Sequence, residues 1–244
     1  MSTFRYTRPD SFPPIVKNLI IINVLVFIAQ IILGDQFHLT DRIALYPIMP
    51  KELLEILQAQ GLEDYRQFYP YQIATHMFAH SPGSIFHIVF NMFALWMFGR
   101  ILENVWGSKR FLLFYLACGV GAAICHLAIQ YFRCEQLLHA LSIGDPNWIK
   151  YRGAISEAVG ASGAIMGLFA AFAYLFPNTE LYIMFIPIPV KAKWAVLGLA
   201  AIDLFGGVIS VRGDNIAHFA HLGGAITGFI LVLIWNKRNR RRFY

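Results

Sequence analysis

Apolar residues are gathered into six long segments, separated by shorter stretches that hold most of the charges. A helix needs about 20 mostly apolar residues to cross a bilayer, with a range of about 17–25. The segments of this kind are 17–33, 84–103, 109–131, 158–176, 190–210 and 215–236. They predict an all-α fold, a polytopic membrane bundle of six transmembrane helices.

Two stretches near these segments need a separate interpretation. The first segment could be a cleaved signal peptide, but no small-x-small cleavage pattern follows its apolar run, so we interpret it as a retained helix. Residues 181–189 are apolar but too short to span, and they predict an interfacial segment. Residues 34–83 form a long first outer loop, with a predicted helix near 51–60.

Composition supports the membrane interpretation. The chain is 57% hydrophobic and 14% charged, against about 45–50% and about 25% in an average soluble domain. Such a sequence is too apolar for a soluble globule and too rich in aromatic residues for a disordered chain. Its three cysteines exclude a disulfide scaffold.

The net charge of +6 alone could indicate nucleic acid binding, so the placement of the charges matters. Six spans put both termini on one side, and that side holds 13 of the 20 Lys and Arg residues. Because cytoplasmic loops are enriched in Lys and Arg, both termini are expected in the cytoplasm. The KRNRRR stretch at 237–242 is then expected to lie beside anionic lipid, and we predict no nucleic acid partner.

This topology predicts three parts of the chain. Residues 1–16 form a short cytoplasmic segment, residues 17–236 form the six-span domain, and residues 237–244 form a basic cytoplasmic tail.

Five polar side chains lie inside the predicted spans, where such residues are costly and are functional candidates by default. They are His87, Asn91, Ser162, His218 and His221. The second, fourth and sixth spans run from outside to inside, so at 1.5 Å per residue their side chains fall within roughly 10 Å of the outer boundary. Three helices therefore place a hydroxyl, imidazoles and an amide at one level.

The chemistry of this level indicates nucleophilic catalysis. A serine hydroxyl is a weak nucleophile until a base removes its proton, and neutral imidazole is the usual base. Ser162 lies in the first turn of its predicted helix, where backbone amides can stabilise an oxyanion. Asn91 shares a helix face with His87 and is a natural side-chain donor to the same oxyanion.

Glycines favour a close approach of the helices that carry the serine and the histidine. Ser162 lies in GASGAIMG and His221 lies in AHLGGAITG. Gly160 permits a tight entry into the fourth span. Two G-x-x-x-G pairs then allow the helix axes to come close, namely Gly163 with Gly167 and Gly224 with Gly228.

Each of these residues also has an ordinary structural interpretation. Serine in a Gly- and Ala-rich span usually packs against a neighbour, and intramembrane Asn often bonds to an adjacent helix. Only the joint pattern favours a site. His218 competes with His221 as the base, and Asp203 could orient a histidine, although structural hydrogen bonding is the favoured interpretation for it.

A metal site is not predicted. The paired histidines of the last span come with no carboxylate or third ligand. The HMFAH segment at His76 and His80 lacks the glutamate of the H-E-x-x-H zinc motif. We therefore expect neither a metal nor another cofactor.

The order of three motifs resembles the rhomboid family of intramembrane serine proteases. The motifs are H-x-x-x-N at His87 and Asn91, G-x-S-G at 160–163, and A-H-x-x-G-x-x-x-G at 220–228. The resemblance extends over about residues 68–234 and includes the LENVWGSKRF turn after the second span. It implies a six-span serine endopeptidase of the bacterial inner membrane that cuts single-span membrane proteins near the outer membrane boundary.

The resemblance also implies roles for individual residues. Ser162 would attack the scissile carbonyl and His221 would be its base. His87, Asn91 and the Ser162 amide would form the oxyanion hole. The first outer loop would contact lipid, residues 206–216 would cap the site, and the fifth span would be a lateral gate for a substrate helix.

Two positions depart from the family pattern. Met166 stands where many members carry an aromatic residue that stacks on the catalytic histidine. Tyr71 and Gln72 stand where the first loop commonly has a Trp-Arg pair.

Two other functions are left open by the sequence. One is an inactive rhomboid-like protein that binds client transmembrane helices, although such relatives lose the serine or the histidine. The other is a small transporter or channel, which would need a polar path through spans whose inner halves are apolar.

Overall fold

The computed structural model describes residues 9–59, 61, 66–182, 188–209 and 217–239. The helices and strands within these residues are α1 (Pro14–Phe37), α2 (Leu39–Ile43), α3 (Lys51–Ala59), α4 (Gln72–Thr75), α5 (Ile85–Trp106), α6 (Ser108–Ser142), α7 (Trp148–Arg152), α8 (Ser162–Leu175), β1 (Glu180–Leu181), β2 (Val190–Lys191), α9 (Ala192–Ile209) and α10 (His218–Asn239). The fold is an all-α membrane bundle, as predicted.

Each of the six predicted segments contains one long helix, but the helices differ in length. Among the described residues, four helices are long and apolar enough to cross a membrane, and they lie within α1, α5, α6 and α10. Helix α9 has 18 residues and α8 only 14, which corresponds to about 21 Å. Because a hydrocarbon core is about 30 Å thick, one end of α8 lies well inside the membrane.

The predicted start of the fourth segment at residue 158 is wrong. Helix α8 begins at Ser162, four residues later. Ala158 forms an isolated antiparallel bridge with Leu45, and Gly160 has φ +119°. The chain preceding α8 is therefore extended and tied to the first outer loop.

Helix α6 continues past residue 131, the predicted end of the third span, and ends at Ser142. Its 35 residues measure about 52 Å, so the helix is longer than a hydrocarbon core about 30 Å thick and projects beyond it. The projecting end is stabilised by a cluster in which Leu53 and Leu57 of α3 pack on Cys134 and Leu137. The helix predicted near 51–60 supplies half of this contact.

At the opposite end of the bundle, a buried carboxylate caps α1. Glu103 accepts hydrogen bonds from the backbone N–H groups of Ile15 (3.1 Å) and Val16 (2.9 Å) and from the hydroxyl of Ser108 (2.6 Å). The first N–H groups of a helix have no intrahelical partner and favour a negative charge. The cap therefore fixes α1 to the turn between α5 and α6.

A short antiparallel pair of strands leads from α8 to α9, with Glu180 opposite Lys191 and Leu181 opposite Val190. The interfacial segment predicted at 181–189 begins with the last residue of β1 and ends just before β2, and its residues 183–187 lie outside the described residues.

Two buried glutamines hold the first outer loop in place. The Gln30 side chain accepts the His80 N–H (3.0 Å) and donates to the His80 carbonyl (2.8 Å). The Gln72 side chain accepts the N–H of Tyr69 at 3.1 Å. Of the two adjacent residues, Gln72 is thus buried and binds the loop, whereas Tyr71 is exposed.

Two histidines of this loop are buried in their neutral form. Burial lowers the pKa of His76 to about 4, and burial together with His87 lowers the pKa of His80 to about 4. The ordinary value is 6.5, so the unfolded chain takes up protons over this interval that the folded chain does not. Stability is complete above pH 6.5 and is lost as the pH falls from 6.5 towards 4.

We predict that acidification destabilises the protein in detergent through these two histidines. Each contributes on the order of 3 kcal/mol between pH 7.5 and pH 4. His80→Phe keeps a ring and removes one titrating group, so its unfolding midpoint should fall less steeply with pH than that of the unchanged chain. His139→Phe, at an exposed position, should follow the unchanged chain. Equal slopes in all three proteins would contradict the prediction.

Candidate active site

Ser162 and His221 are in hydrogen-bond contact. Ser162 is the first residue of α8 and His221 lies in the first turn of α10. The distance between Ser162 Oγ and His221 Nε2 is 2.8 Å. This is the geometry in which an imidazole can take the proton of an attacking hydroxyl.

Glycines bring the two helices to this distance. A Cβ on Gly224 would overlap the Gly163 carbonyl, and a Cβ on Gly228 would lie 2.6 Å from the Cα of Gly167. Contacts this close require small residues on both helices. The four motif glycines therefore form the seam between α8 and α10, directly below the serine and the histidine.

Gly160 has a different task, which depends on its backbone conformation. Its φ of +119° is unfavourable for other residues, and a Cβ here would lie 2.9 Å from His87 Nε2. Its N–H donates to the His76 carbonyl at 2.9 Å. Gly160 therefore lets the His87 ring reach the N-terminus of α8.

Hydrogen bonding defines which nitrogen of His87 carries a proton. The Ser81 backbone N–H donates to His87 Nδ1 at 3.3 Å, so this nitrogen is an acceptor. A neutral imidazole with an acceptor at Nδ1 carries its hydrogen on Nε2. This N–H lies beside Gly160 and is a donor at the mouth of the site.

Asn91 lies one turn below His87 on α5. One hydrogen of its amide is donated to the His87 carbonyl at 2.7 Å. The amide has a second hydrogen, and the side chain lines the same cavity as Ser162. The site thus has two side-chain donors in addition to the backbone N–H groups at the start of α8, which have no intrahelical partner.

All five candidate side chains, His218 included, line one cavity of about 770 Å³. Residues of the C-terminal half of α6 and of the segment before α8 also line it, and their polar members are His126, Gln130, Arg133, Ser156 and Glu157. Gln130 binds Ser156, donating to its hydroxyl at 3.2 Å and accepting its N–H at 3.3 Å. Motif spacing gave no indication of these residues, of which Arg133 lies beyond the predicted end of the third segment at residue 131.

Arg133 connects three segments at the rim of the cavity. Its guanidinium donates to the carbonyls of Ala154 and Gly207, each at 2.8 Å, and lies 5.4 Å from the centre of the Phe219 ring. The end of α9 is thereby joined to α6 and to the chain that leads into α8.

The sequence favours structural hydrogen bonding for Asp203, but in the structure its carboxylate faces two histidines. Its Oδ1 is 3.0 Å from His221 Nδ1 and 2.8 Å from His218 Nδ1. The sequence gave no geometric reason for this pairing. The only available signal was a charge inside an otherwise apolar span.

Two further sequence predictions concern the cap at 206–216 and Met166. Residues 206–209 of the predicted cap belong to the end of α9, and residues 210–216 lie outside the described residues. Met166 is buried in a cluster with Ala170 and Ala225.

Within the described part of the chain, no group of three or more His, Cys, Asp or Glu residues is arranged to hold a metal ion.

Comparison with known proteins places this geometry in context. A family profile described as the Rhomboid domain matches residues 67–238. The mitochondrial presenilin-associated rhomboid-like protein A of Danio rerio is 32% identical over 164 residues, covering 65% of this chain and 37% of that protein. The mitochondrial Rhomboid protein 1 of Saccharomyces cerevisiae is 27% identical over 168 residues, covering 67% and 43%.

A bacterial protein is similar over the same region. Rhomboid protease AarA of Providencia stuartii is 30% identical over 172 residues, covering 65% of this chain and 53% of that protein. The chain thus spans about half or less of the length of these relatives.

Proposed function

The chain belongs to the rhomboid family, and on that premise we propose that it is an intramembrane serine protease. Its substrates are single-span membrane proteins, cut near the outer membrane boundary. The observation that carries the proposal is the 2.8 Å contact between Ser162 Oγ and His221 Nε2 inside a membrane bundle. A serine and an imidazole at this distance are the smallest combination of nucleophile and general base for acyl transfer.

The reaction follows from the positions of the side chains. His221 Nε2 takes the proton of Ser162 as its oxygen attacks the scissile carbonyl. The resulting imidazolium gives this proton to the leaving amine, and an acyl-enzyme remains on the serine. Water then enters and attacks the acyl carbon as it loses a proton to the same nitrogen; the imidazolium returns this proton to the Ser162 oxygen as the carboxylic acid product leaves.

The developing oxyanion needs preorganised donors. His87 Nε2–H, the second amide hydrogen of Asn91 and the N–H of Ser162 are proposed to supply them. Such donors act strongly where water is scarce, and the loss of one donor typically costs about 10²–10³ in rate.

The chain is an integral membrane protein. We propose that both termini lie in the cytoplasm of a bacterium and that the cavity opens on the opposite side, where substrates and surrounding lipids meet it. The support for this orientation is the charge distribution, with 13 of 20 basic residues on the side of the termini. The support for a bacterial membrane is the predicted six-span core, which resembles the basic bacterial form of the family, whereas two of the relatives named above are mitochondrial.

We predict that Ser162→Ala and His221→Ala each abolish cleavage of a model single-span substrate by the purified protein. Both should also abolish labelling by a fluorophosphonate, which reacts only with an activated serine. Ser142→Ala and His139→Ala, at exposed positions at the end of α6, should keep full activity. Labelling of Ser162→Ala would contradict the proposed nucleophile. A chain that binds substrate but shows neither labelling nor cleavage would instead support the non-cutting alternative.

We predict that Asn91→Ala lowers kcat by about 10²-fold with little change in KM, as the loss of an oxyanion donor should. His87→Ala should lower kcat less, because this ring lies a turn nearer to the outer boundary and water can replace its N–H. Asn104→Ala, on the exposed cytoplasmic end of the same helix, is the matched control. A normal kcat in Asn91→Ala would remove this residue from the mechanism.

The proposed orientation predicts which side of the membrane reaches the serine. In a chain with Cys118, Cys125 and Cys134 replaced by alanine, Ser162→Cys should react with an impermeant maleimide added to intact cells. Lys109→Cys, in the first turn of α6, should react only in inverted vesicles. The reverse pattern would overturn both the orientation and the proposed level of cleavage.

A further inference from the structure

We propose that Asp203 is the positioning residue of the catalytic base, so that the site works as a Ser162–His221–Asp203 triad across α8, α10 and α9. This inference rests on the proposed function, and it assigns Asp203 of α9 a role beyond the contact between two helices.

The argument begins with the protons. A carboxylate only accepts hydrogen bonds, so a ring nitrogen that faces it must carry a hydrogen. His221 Nδ1 is 3.0 Å from Asp203 Oδ1 and therefore donates. A neutral His221 then has its lone pair on Nε2, which is the nitrogen 2.8 Å from Ser162 Oγ. The carboxylate thus selects the one tautomer that can accept the serine proton.

The Asp203 carboxylate also stabilises the positive charge that His221 acquires during the reaction. When His221 takes the serine proton, its ring becomes a cation held against Asp203. In a region of low dielectric this interaction is strong, and it favours the transition state over the ground state.

The placement of Asp203 supports a functional role. It is 6% exposed, whereas its neighbours Ile202 and Leu204 are 64% and 48% exposed on the outer face of the bundle. An ionisable side chain within a span is costly and is usually found facing the protein interior with a partner. The polar partners of Asp203 include the imidazoles of His218 and His221 on α10, and His221 is in turn in hydrogen-bond contact with Ser162.

The surface of α9 is shaped to receive these rings. Gly206 and Gly207 lie three and four residues after Asp203, on the same helix face. A Cβ on Gly206 would lie 2.5 Å from His218 Nε2, and a Cβ on Gly207 would lie 2.7 Å from the Phe219 ring. The first turn of α10 therefore rests on a small-residue face of α9, and the carboxylate is held at its edge.

His218 allows the positioning role to be separated from a purely structural one. It donates to the same Oδ1 at 2.8 Å and is nearly as buried as Asp203. If Asp203 only joined α9 to α10, loss of either of these two hydrogen bonds would weaken the same junction. If Asp203 positions the base, only loss of its bond to His221 affects catalysis strongly.

The test compares Asp203→Leu, Asp203→Asn and His218→Leu in purified protein. We expect Asp203→Leu to lower kcat by about 10³-fold at unchanged KM, somewhat less than the roughly 10⁴-fold loss seen when the carboxylate of a soluble triad is altered. The rate of fluorophosphonate labelling of Ser162 should fall in parallel. Asp203→Asn, which keeps an oxygen acceptor without its charge, should lie between Asp203→Leu and the unchanged chain. His218→Leu should stay within about tenfold of the unchanged chain.

Three results overturn the inference. The first is an active Asp203→Leu in a background where the unchanged chain cleaves and labels. The second is an equal loss in Asp203→Leu and His218→Leu, which indicates a structural junction. The third is a loss that appears only in KM or in the unfolding midpoint. Absence of cleavage and labelling in the unchanged chain contradicts the proposed function itself, and the inference with it.

Discussion

The structure depends on one close contact, the glycine seam between α8 and α10. Apolar side chains gain little by associating inside a lipid environment, so helices there are held by tight packing and by polar bonds. Any side chain at Gly224 would meet the carbonyl of Gly163. Because Ser162 directly precedes Gly163, and His221 lies one turn before Gly224, this contact sets the distance between hydroxyl and imidazole.

Several polar groups within the bundle are satisfied by a distant part of the fold. Gln30 binds the backbone of His80, and Glu103 binds the start of α1. Around the cavity, the hydroxyl of Ser162, the ring of His221 and the carboxylate of Asp203 form one continuous chain of hydrogen bonds. Since unsatisfied polar groups are expensive in this setting, the same bonds that make the chemistry possible also stabilise the fold.

The sequence could predict whatever depends on local pattern. Hydropathy located the long helices, and the shared depth of polar residues pointed to Ser162 and His221. It could not predict contacts that depend on tertiary packing. The length of α6 is fixed by its contact with α3, and the start of α8 by the bridge from Ala158 to Leu45. Asp203 was visible as a charge in a span, but its partners depend on how α9 lies against α10, which no spacing within one segment can reveal.

The short length of α8 reconciles hydrolysis with a membrane setting. A helix of 14 residues cannot reach both boundaries, so its N-terminus, with Ser162 and its unpaired amides, stands at the floor of a cavity. Polar side chains of α6, among them Gln130 and Arg133, line the same cavity. Water and an unwound substrate segment therefore share one polar chamber under the proposed function, while the apolar inner halves of the helices keep the chamber closed below. The extension of α6 and the shortness of α8 are in this sense complementary, since each supplies a part of the chamber that the other helix lacks.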